Sequence, residues 1–147
     1  MNISIRKAAY TDIGEICEIE SAGSALWDMR QITEELRLDF SNPTVLESDG
    51  HIIGYCVFWN VADELQLNNF GIRPEYRRRG LGTLMLNHIM TRYDAEKPRP
   101  GKIILEVSSE NLPAISFYKK NGFIETGRRK KYYKKSDAIL MEREIPS

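Results

Sequence analysis

Cysteine and histidine are scarce in this 147-residue chain: Cys17 and Cys56 are its two thiols, His51 and His88 its two imidazoles. The cysteines lie far apart, each in an apolar pattern, so buried free thiols are expected rather than a disulfide. No second ligand stands in register with either histidine, and no metal site is expected. No apolar run approaches the roughly 20 residues that a membrane-spanning helix needs. Met1–Asp12 contains no apolar core of the kind a secretory signal requires. These absences predict a cytoplasmic protein without a membrane partner. Internal repeats, low-complexity tracts and linkers are also missing, which predicts one domain over residues 1–147.

Net charge is missing too. Lys and Arg number 21 and Asp and Glu 21, a balance that argues against bulk nucleic-acid binding, and no direct contact with nucleic acid is expected. The balance conceals an asymmetry. Residues 1–75 carry 5 basic against 13 acidic side chains, and residues 76–147 carry 16 against 8. A basic second half suits a compact polyanion, although charges segregated along a chain can equally be mixed in space. The remainder is ordinary, with 41% hydrophobic and 29% charged residues, as in globular domains.

Periodicity gives a β-α-α-β-β-β-α-β-α-β-β order, a mixed α/β domain. Ile3–Lys7 alternates as a strand. Thr11 or Asp12 can cap a helix through about Ala22, with Ile13, Ile16, Cys17 and Ile19 on one face. A second helix is expected over Met29–Leu38, broken by Asn42-Pro43, with a strand over Thr44–Glu47. Ser48-Asp49-Gly50 reads as a hairpin turn before the β-prone run Ile52–Asn60. Glu64–Ile72 is another strand, in which Asn68-Asn69 interrupts the alternation and predicts a bulge or a functional kink. A helix over Gly82–Tyr93 follows, with Leu81, Leu84, Met85, Leu86 and Ile89 at helical spacing. A loop over 98–101 leads to a buried strand Ile103–Val107 and a helix Pro113–Asn121 stopped by Gly122. Ile124–Tyr133 and Ala138–Arg143 form a closing hairpin.

The densest positive charge falls at the mouth of a helix, in Tyr76-Arg77-Arg78-Arg79-Gly80-Leu81-Gly82-Thr83. The first amides of a helix lack intrahelical partners, and the helix dipole adds partial positive charge there. Glycines let a backbone approach an anion closely, so the stretch reads as a phosphate cradle. Its spacing is neither the dinucleotide-binding nor the P-loop pattern.

Arg77-x-x-Gly80-x-Gly82 after a strand resembles the pyrophosphate-binding motif of the GNAT superfamily of N-acetyltransferases, Gln/Arg-x-x-Gly-x-Gly/Ala. Asn111-Leu112-Pro113-Ala114-Ile115-Ser116-Phe117-Tyr118 through Gly122-Phe123 is similar to that family's second signature. Asp63–Ile72, Leu105-Glu106-Val107, Arg129–Tyr133, Asp137–Met141 and Trp27 resemble segments of its ribosomal-protein-alanine N-acetyltransferase (RimI-like) group. The likeness weakens between Met29 and Leu46. It implies an α/β GNAT fold: a mixed, mostly antiparallel sheet of six to seven strands flanked by about four helices. It also implies acetyl-CoA as acetyl donor, with the backbone of Arg77, Arg78, Arg79, Gly80, Leu81, Gly82 and Thr83 around the pyrophosphate. Phe70, Gly71 and Ile72 would present backbone groups to the acetyl and pantetheine amides, and Asn111 would hold the pantetheine arm; a plain helix N-cap is the other reading of Asn111.

An acid in an apolar strand is unusual. Glu106 matches the family's proposed general base, against the alternative of a strand-end acid facing solvent or an arginine. Tyr118 matches the general acid that protonates the leaving thiolate, against the alternative of a core aromatic beside Phe117 and Phe123. Trp27, Tyr132 and Tyr133 are expected to wall the acceptor groove, against the alternative that the two tyrosines simply belong to an amphipathic hairpin. Arg128–Lys131 with Lys134-Lys135 is a basic run, a solvated face or a contact for RNA or an acidic peptide.

The resemblance implies acetylation of a protein's N-terminal α-amine, such as the alanine of a small ribosomal subunit protein. The alternatives are a small amine, polyamine or antibiotic as acceptor, or a module that binds CoA without turnover. The presence of both Glu106 and Tyr118 disfavours the last.

Overall fold

A computed structural model describes residues 2–21, 28–91, 100–133 and 136–146. Seven strands form one sheet: β1 (Ile3–Lys7), β2 (Ser41–Ser48), β3 (His51–Val61), β4 (Glu64–Ile72), β5 (Lys102–Ser108), β6 (Ile124–Tyr133) and β7 (Ser136–Glu144), in the order β1-β2-β3-β4-β5-β7-β6. Every neighbouring pair is antiparallel except β4 and β5. The described helices are α1 (Ile13–Ser21), α2 (Met29–Glu35), α3 (Leu81–Thr91) and α4 (Leu112–Lys120), and 3-10 turns at Tyr10–Asp12 and Pro74–Tyr76 precede α1 and α3. The mostly antiparallel seven-stranded architecture with four helices is the one expected.

Alternation along β3 builds two cores. Tyr55 and Val57 face a cluster with Ile13, Ile16 and Ile19 of α1 and Ile32 of α2. Cys56 and Phe58 face the other side, with Met85, Leu86 and Ile89 of α3, and Ile115 and Tyr118 of α4. The sheet is thus a partition between two helix pairs.

Local chemistry explains the element ends. Asp49 and Gly50 both take positive φ, 51° and 82°, in the two-residue turn that joins β2 to β3. Asp28 caps α2 through a reciprocal pair with Gln31. Gly122 takes φ 89° beyond the end of α4.

Three expectations are corrected, and a fourth, that both cysteines are buried free thiols, in part. Pro43 lies inside β2 instead of before it. Its carbonyl accepts the Ala8 amide on the β1 side, and its own nitrogen points the same way, beyond the last ladder pair, Lys7 with Thr44. The missing N–H therefore costs only one bond at a strand end. Helix α2 ends at Glu35, because the chain turns to bury that residue against Ser41 and Trp59. Leu84 is exposed, on the outer face of α3. Cys56 is buried and Cys17 half-buried, both free thiols.

Candidate active site

The site is made by a split in the sheet. Strands β4 and β5 pair only from Glu64 with Lys102 to Leu67 with Leu105. Beyond that point β3 continues to pair with β4, but the register shifts so that Val57 faces Asn69 and Phe58 faces Leu67. Asn68 is the extra residue, the bulge foreseen at Asn68-Asn69. The Asn69 amide donates to Glu20 Oε1 at 3.2 Å and so ties the bulge to the end of α1. Past the split, β4 leaves Phe70, Gly71 and Ile72 with backbone groups that no β5 partner takes, and they line a cleft of about 1430 Å³. That is larger than the roughly 300–1,000 Å³ of an ordinary small-molecule pocket.

The glycine-rich loop forms one end of the cleft, where Arg77, Arg78, Gly80, Leu81, Gly82 and Thr83 line it. Arg78 and Gly80 take positive φ, 62° and 76°, which turns successive amides toward a common concavity. The first helical bond of α3 runs from Leu84 N–H to the Gly80 carbonyl at 3.0 Å. The amides of Leu81, Gly82 and Thr83 precede it and have no intrahelical acceptor. The three arginines divide their tasks. Arg77 Nε donates to the Ile72 carbonyl at 3.1 Å and braces the loop against β4. Arg78 lines the cleft. Arg79 lies over the Tyr76 ring at 5.3 Å and is not part of the cleft wall.

Helix α4 forms the opposite wall. Asn111 caps it, its Oδ1 accepting from Ala114 N–H at 3.3 Å; the same side chain borders the cleft. Thr83 Oγ1 donates to Asn121 Oδ1 at 3.0 Å, and Arg143 Nη1 to the Asn121 carbonyl at 2.8 Å. These bonds fasten the first turn of α3 and strand β7 to the end of α4. Tyr118 is buried between Phe117 and Phe123, both edge-on at 5.4 Å, and still contributes to the cleft wall. Burial, with Cys56 nearby, pushes its phenol well above the ordinary tyrosine value. It is thus both a core aromatic and a cleft residue.

Glu106 projects from β5 into the same cleft, just past the last β4–β5 pair. It also meets an arginine: Arg129 Nη2 lies 3.1 Å from Glu106 Oε1. The acid that the sequence reads as a base or as the partner of an arginine thus lines the cleft and has an arginine partner. Glu106 and Tyr118, from separate motifs, share one cavity with the α3 amides.

On the acceptor side, Tyr132 is exposed and has Arg129 over its ring at 5.5 Å; it does not line the cleft. Trp27 lies outside the described residues, as does the side chain of Tyr133.

The sequence model of the Acetyltransferase (GNAT) family matches residues 8–123. The chain belongs to the GNAT family. It is similar to the putative ribosomal protein bS18-alanine N-acetyltransferase of Bacillus subtilis, 34% identical over 142 residues that cover 94% of this chain and 93% of that one. It is similar also to the N-alpha-acetyltransferase RimI of Mycobacterium tuberculosis, 26% identical over 97% of this chain and 92% of the other. Among solved structures, the ribosomal-protein-alanine N-acetyltransferase of Escherichia coli superposes with a TM-score of 0.85 at 26% identity, covering 99% of this chain and 96% of that one. This GNAT chain is an acetyl-CoA-dependent N-acetyltransferase.

The residues present fit a pyrophosphate-bearing thioester donor. A β-carbon on Gly80 would meet nothing within 4 Å, so the loop is open toward the cleft, and the free α3 amides and Arg78 supply anion-binding groups. Four contributors escaped the sequence reading. Phe117 packs on Phe70 at 5.6 Å and walls the cleft, a role hidden because the signature admits several apolar residues there. Glu20 and Ile19 reach the cleft from α1, which no spacing announces. The hold of Arg129 on Glu106 spans β5 and β6 and is invisible along the chain.

Proposed function

We propose that this enzyme transfers the acetyl group of acetyl-CoA to the N-terminal α-amine of a protein, with the alanine of a small ribosomal subunit protein as acceptor. The observation that carries the reading is the convergence of Glu106, Tyr118 and the amides of Leu81, Gly82 and Thr83 on one cleft at the β4–β5 split. The named activities of the Bacillus and Escherichia relatives support the choice of acceptor.

Acetyl-CoA supplies the thioester. The α3 amides and Arg78 hold its pyrophosphate, and backbone groups of Phe70, Gly71 and Ile72 on the edge that β5 leaves open bind its amides, with Asn111 beside the pantetheine arm. An α-amine has a pKa of about 8, so Glu106, directly or through one water, needs to remove little proton affinity to make it a nucleophile. As the C–N bond forms and the C–S bond breaks, Tyr118 gives its proton to the departing thiolate sulfur. Its raised pKa keeps the phenol neutral, hence able to donate, throughout the physiological range. Of Trp27, Tyr132 and Tyr133, expected to meet the peptide, Tyr132 is exposed with Arg129 over its ring.

Intact-mass analysis of ribosomal proteins from cells with and without the gene tests this reading. One small-subunit protein with an N-terminal alanine is expected to lose its acetyl group in the deleted strain. Unchanged acetylation of every ribosomal protein would refute the assignment.

A further inference from the structure

Strand β6 is longer than its partner near its end, level with Ser109 just past β5. Arg129 faces Ala138 and Tyr133 faces Ser136, so residues 130–132 bulge against Asp137 alone. Lys131, at φ 51°, makes the corner. Asp137 fixes this shape. Its Oδ1 accepts the Lys131 amide at 2.8 Å, and its Oδ2 lies 3.7 Å from Arg128 Nη1 and 3.9 Å from Lys130 Nζ. Its backbone exchanges bonds with Ser109, just beyond β5: Ser109 N–H to the Asp137 carbonyl at 2.9 Å, and Asp137 N–H to Ser109 Oγ at 3.2 Å. The bulge is thereby bolted to the strand that carries Glu106.

The consequence is the placement of Arg129. With its guanidinium over the Tyr132 ring and Nη2 on Glu106 Oε1, Arg129 is held from both sides although its side chain is 56% exposed. A carboxylate has two oxygens. Oε1 carries the arginine, and Oε2 makes no hydrogen bond to any described residue. A free glutamate on a strand end samples several rotamers, and productive proton transfer requires hydrogen-bond reach of about 2.6–3.2 Å. Anchoring one oxygen while leaving the other open is how a base is oriented without being blocked.

We propose that Arg129 is a positioning residue for Glu106, fixing the carboxylate so that Oε2 meets the acceptor amine. This rests on the reading of Glu106 as the general base.

The test uses the full chain, acetyl-CoA and a peptide beginning with Ala, and compares wild type, R129Q, R129K, E106Q and the double variant E106Q/R129Q. Turnover and peptide KM are measured, together with acetyl-CoA affinity by calorimetry. R129Q is expected to lower kcat by about tenfold or more, because small misplacements of a catalytic group are costly, with peptide KM and acetyl-CoA affinity held within about twofold. R129K, which retains a cation and is the milder change, should recover part of the rate. In the E106Q background R129Q should cost nothing further, since the group it orients no longer accepts a proton. An R129Q enzyme at wild-type kcat overturns the proposal, as does an equal loss in the E106Q background. A fall in peptide KM at constant kcat also overturns it, for it would mean that Arg129 merely competes with the acceptor. If E106Q itself works at the wild-type rate, the base assignment fails and this inference with it; if E106Q is slow and R129Q is not, only this inference fails.

Discussion

The ring of Phe117 lies 2.8 Å from the point where a β-carbon on Gly82 would sit. No Cβ tolerates that distance, so the ring or the first turn of α3 must move if Gly82 is replaced. The same ring packs on Phe70 at the cleft wall, which couples the packing of α3 on α4 to the site. Gly82→Ala is expected to destabilise the fold by about 1–3 kcal/mol, the range for forced overpacking, and to weaken acetyl-CoA binding. Urea unfolding and calorimetry measure the two effects. Adding Phe117→Leu to the same chain should restore most of the stability. A Gly82→Ala protein as stable as wild type would show that the contact is relieved at no cost.

Tyr118 provides a pH test. Its phenol pKa is raised by burial, so the neutral form persists to higher pH than for a tyrosine in water, which titrates near 10. Turnover with both substrates saturating should therefore show no decline between pH 8 and about 10 from loss of this donor. Tyr118→Phe should lower kcat by roughly 10²-fold or more and leave acetyl-CoA affinity intact. A base-side limb below pH 10 that disappears in Tyr118→Phe would contradict the buried-donor description. The same shift bears on stability: above pH 10 the unfolded chain sheds this proton first, so the contribution of Tyr118 to the folded state declines as pH rises.

The largest electrostatic device away from the cleft is the Arg6 bridge. Arg6 takes both carboxylate oxygens of Asp12, at 2.8 and 2.9 Å, and Glu47 at 3.0 Å, while Asp12 also accepts the Ala9 amide. The guanidinium holds the Asp12 carboxyl below the usual carboxylate range, despite opposing desolvation. A depressed folded pKa stabilises above the unfolded value, near 3.9, and that stability is lost as pH falls through the folded one. Asp12→Asn should cost about 1–3 kcal/mol at pH 7. The gap from wild type should close as pH falls from neutrality through the lowered Asp12 value. Denaturant unfolding at both ends of that window is the measurement; a gap independent of pH would assign the loss to packing.

Where chemistry is local, the sequence was a sufficient guide. Glu64–Ile72 is the observed β4 to the residue, the Asp49-Gly50 turn has the dihedrals its composition demands, and the Asn68-Asn69 bulge sits where alternation lapses. The glycine loop and the α4 signature converge on one cleft because each is a local motif with its own backbone geometry. What escaped depends on strands meeting in space. Pro43 was read as a breaker because its missing N–H matters only if a neighbour needs it, and the end of β1 decides that. The arginine beside Glu106 comes from β6, a strand that no local pattern places near β5. Arg79 was grouped with its neighbours by adjacency, whereas Tyr76 draws it off the cleft wall.

The acceptor is the centre of the account, and one peptide decides it. The peptide carries an N-terminal alanine and an internal lysine, is incubated with acetyl-CoA and the enzyme, and is then fragmented to locate the acetyl group. A lysine amine, with a pKa of about 10.4, is costlier to deprotonate than an α-amine near 8. The account predicts acetyl on the α-nitrogen and none on the lysine. Acetyl on the lysine, or an inert peptide beside rapid acetylation of spermidine, would contradict it.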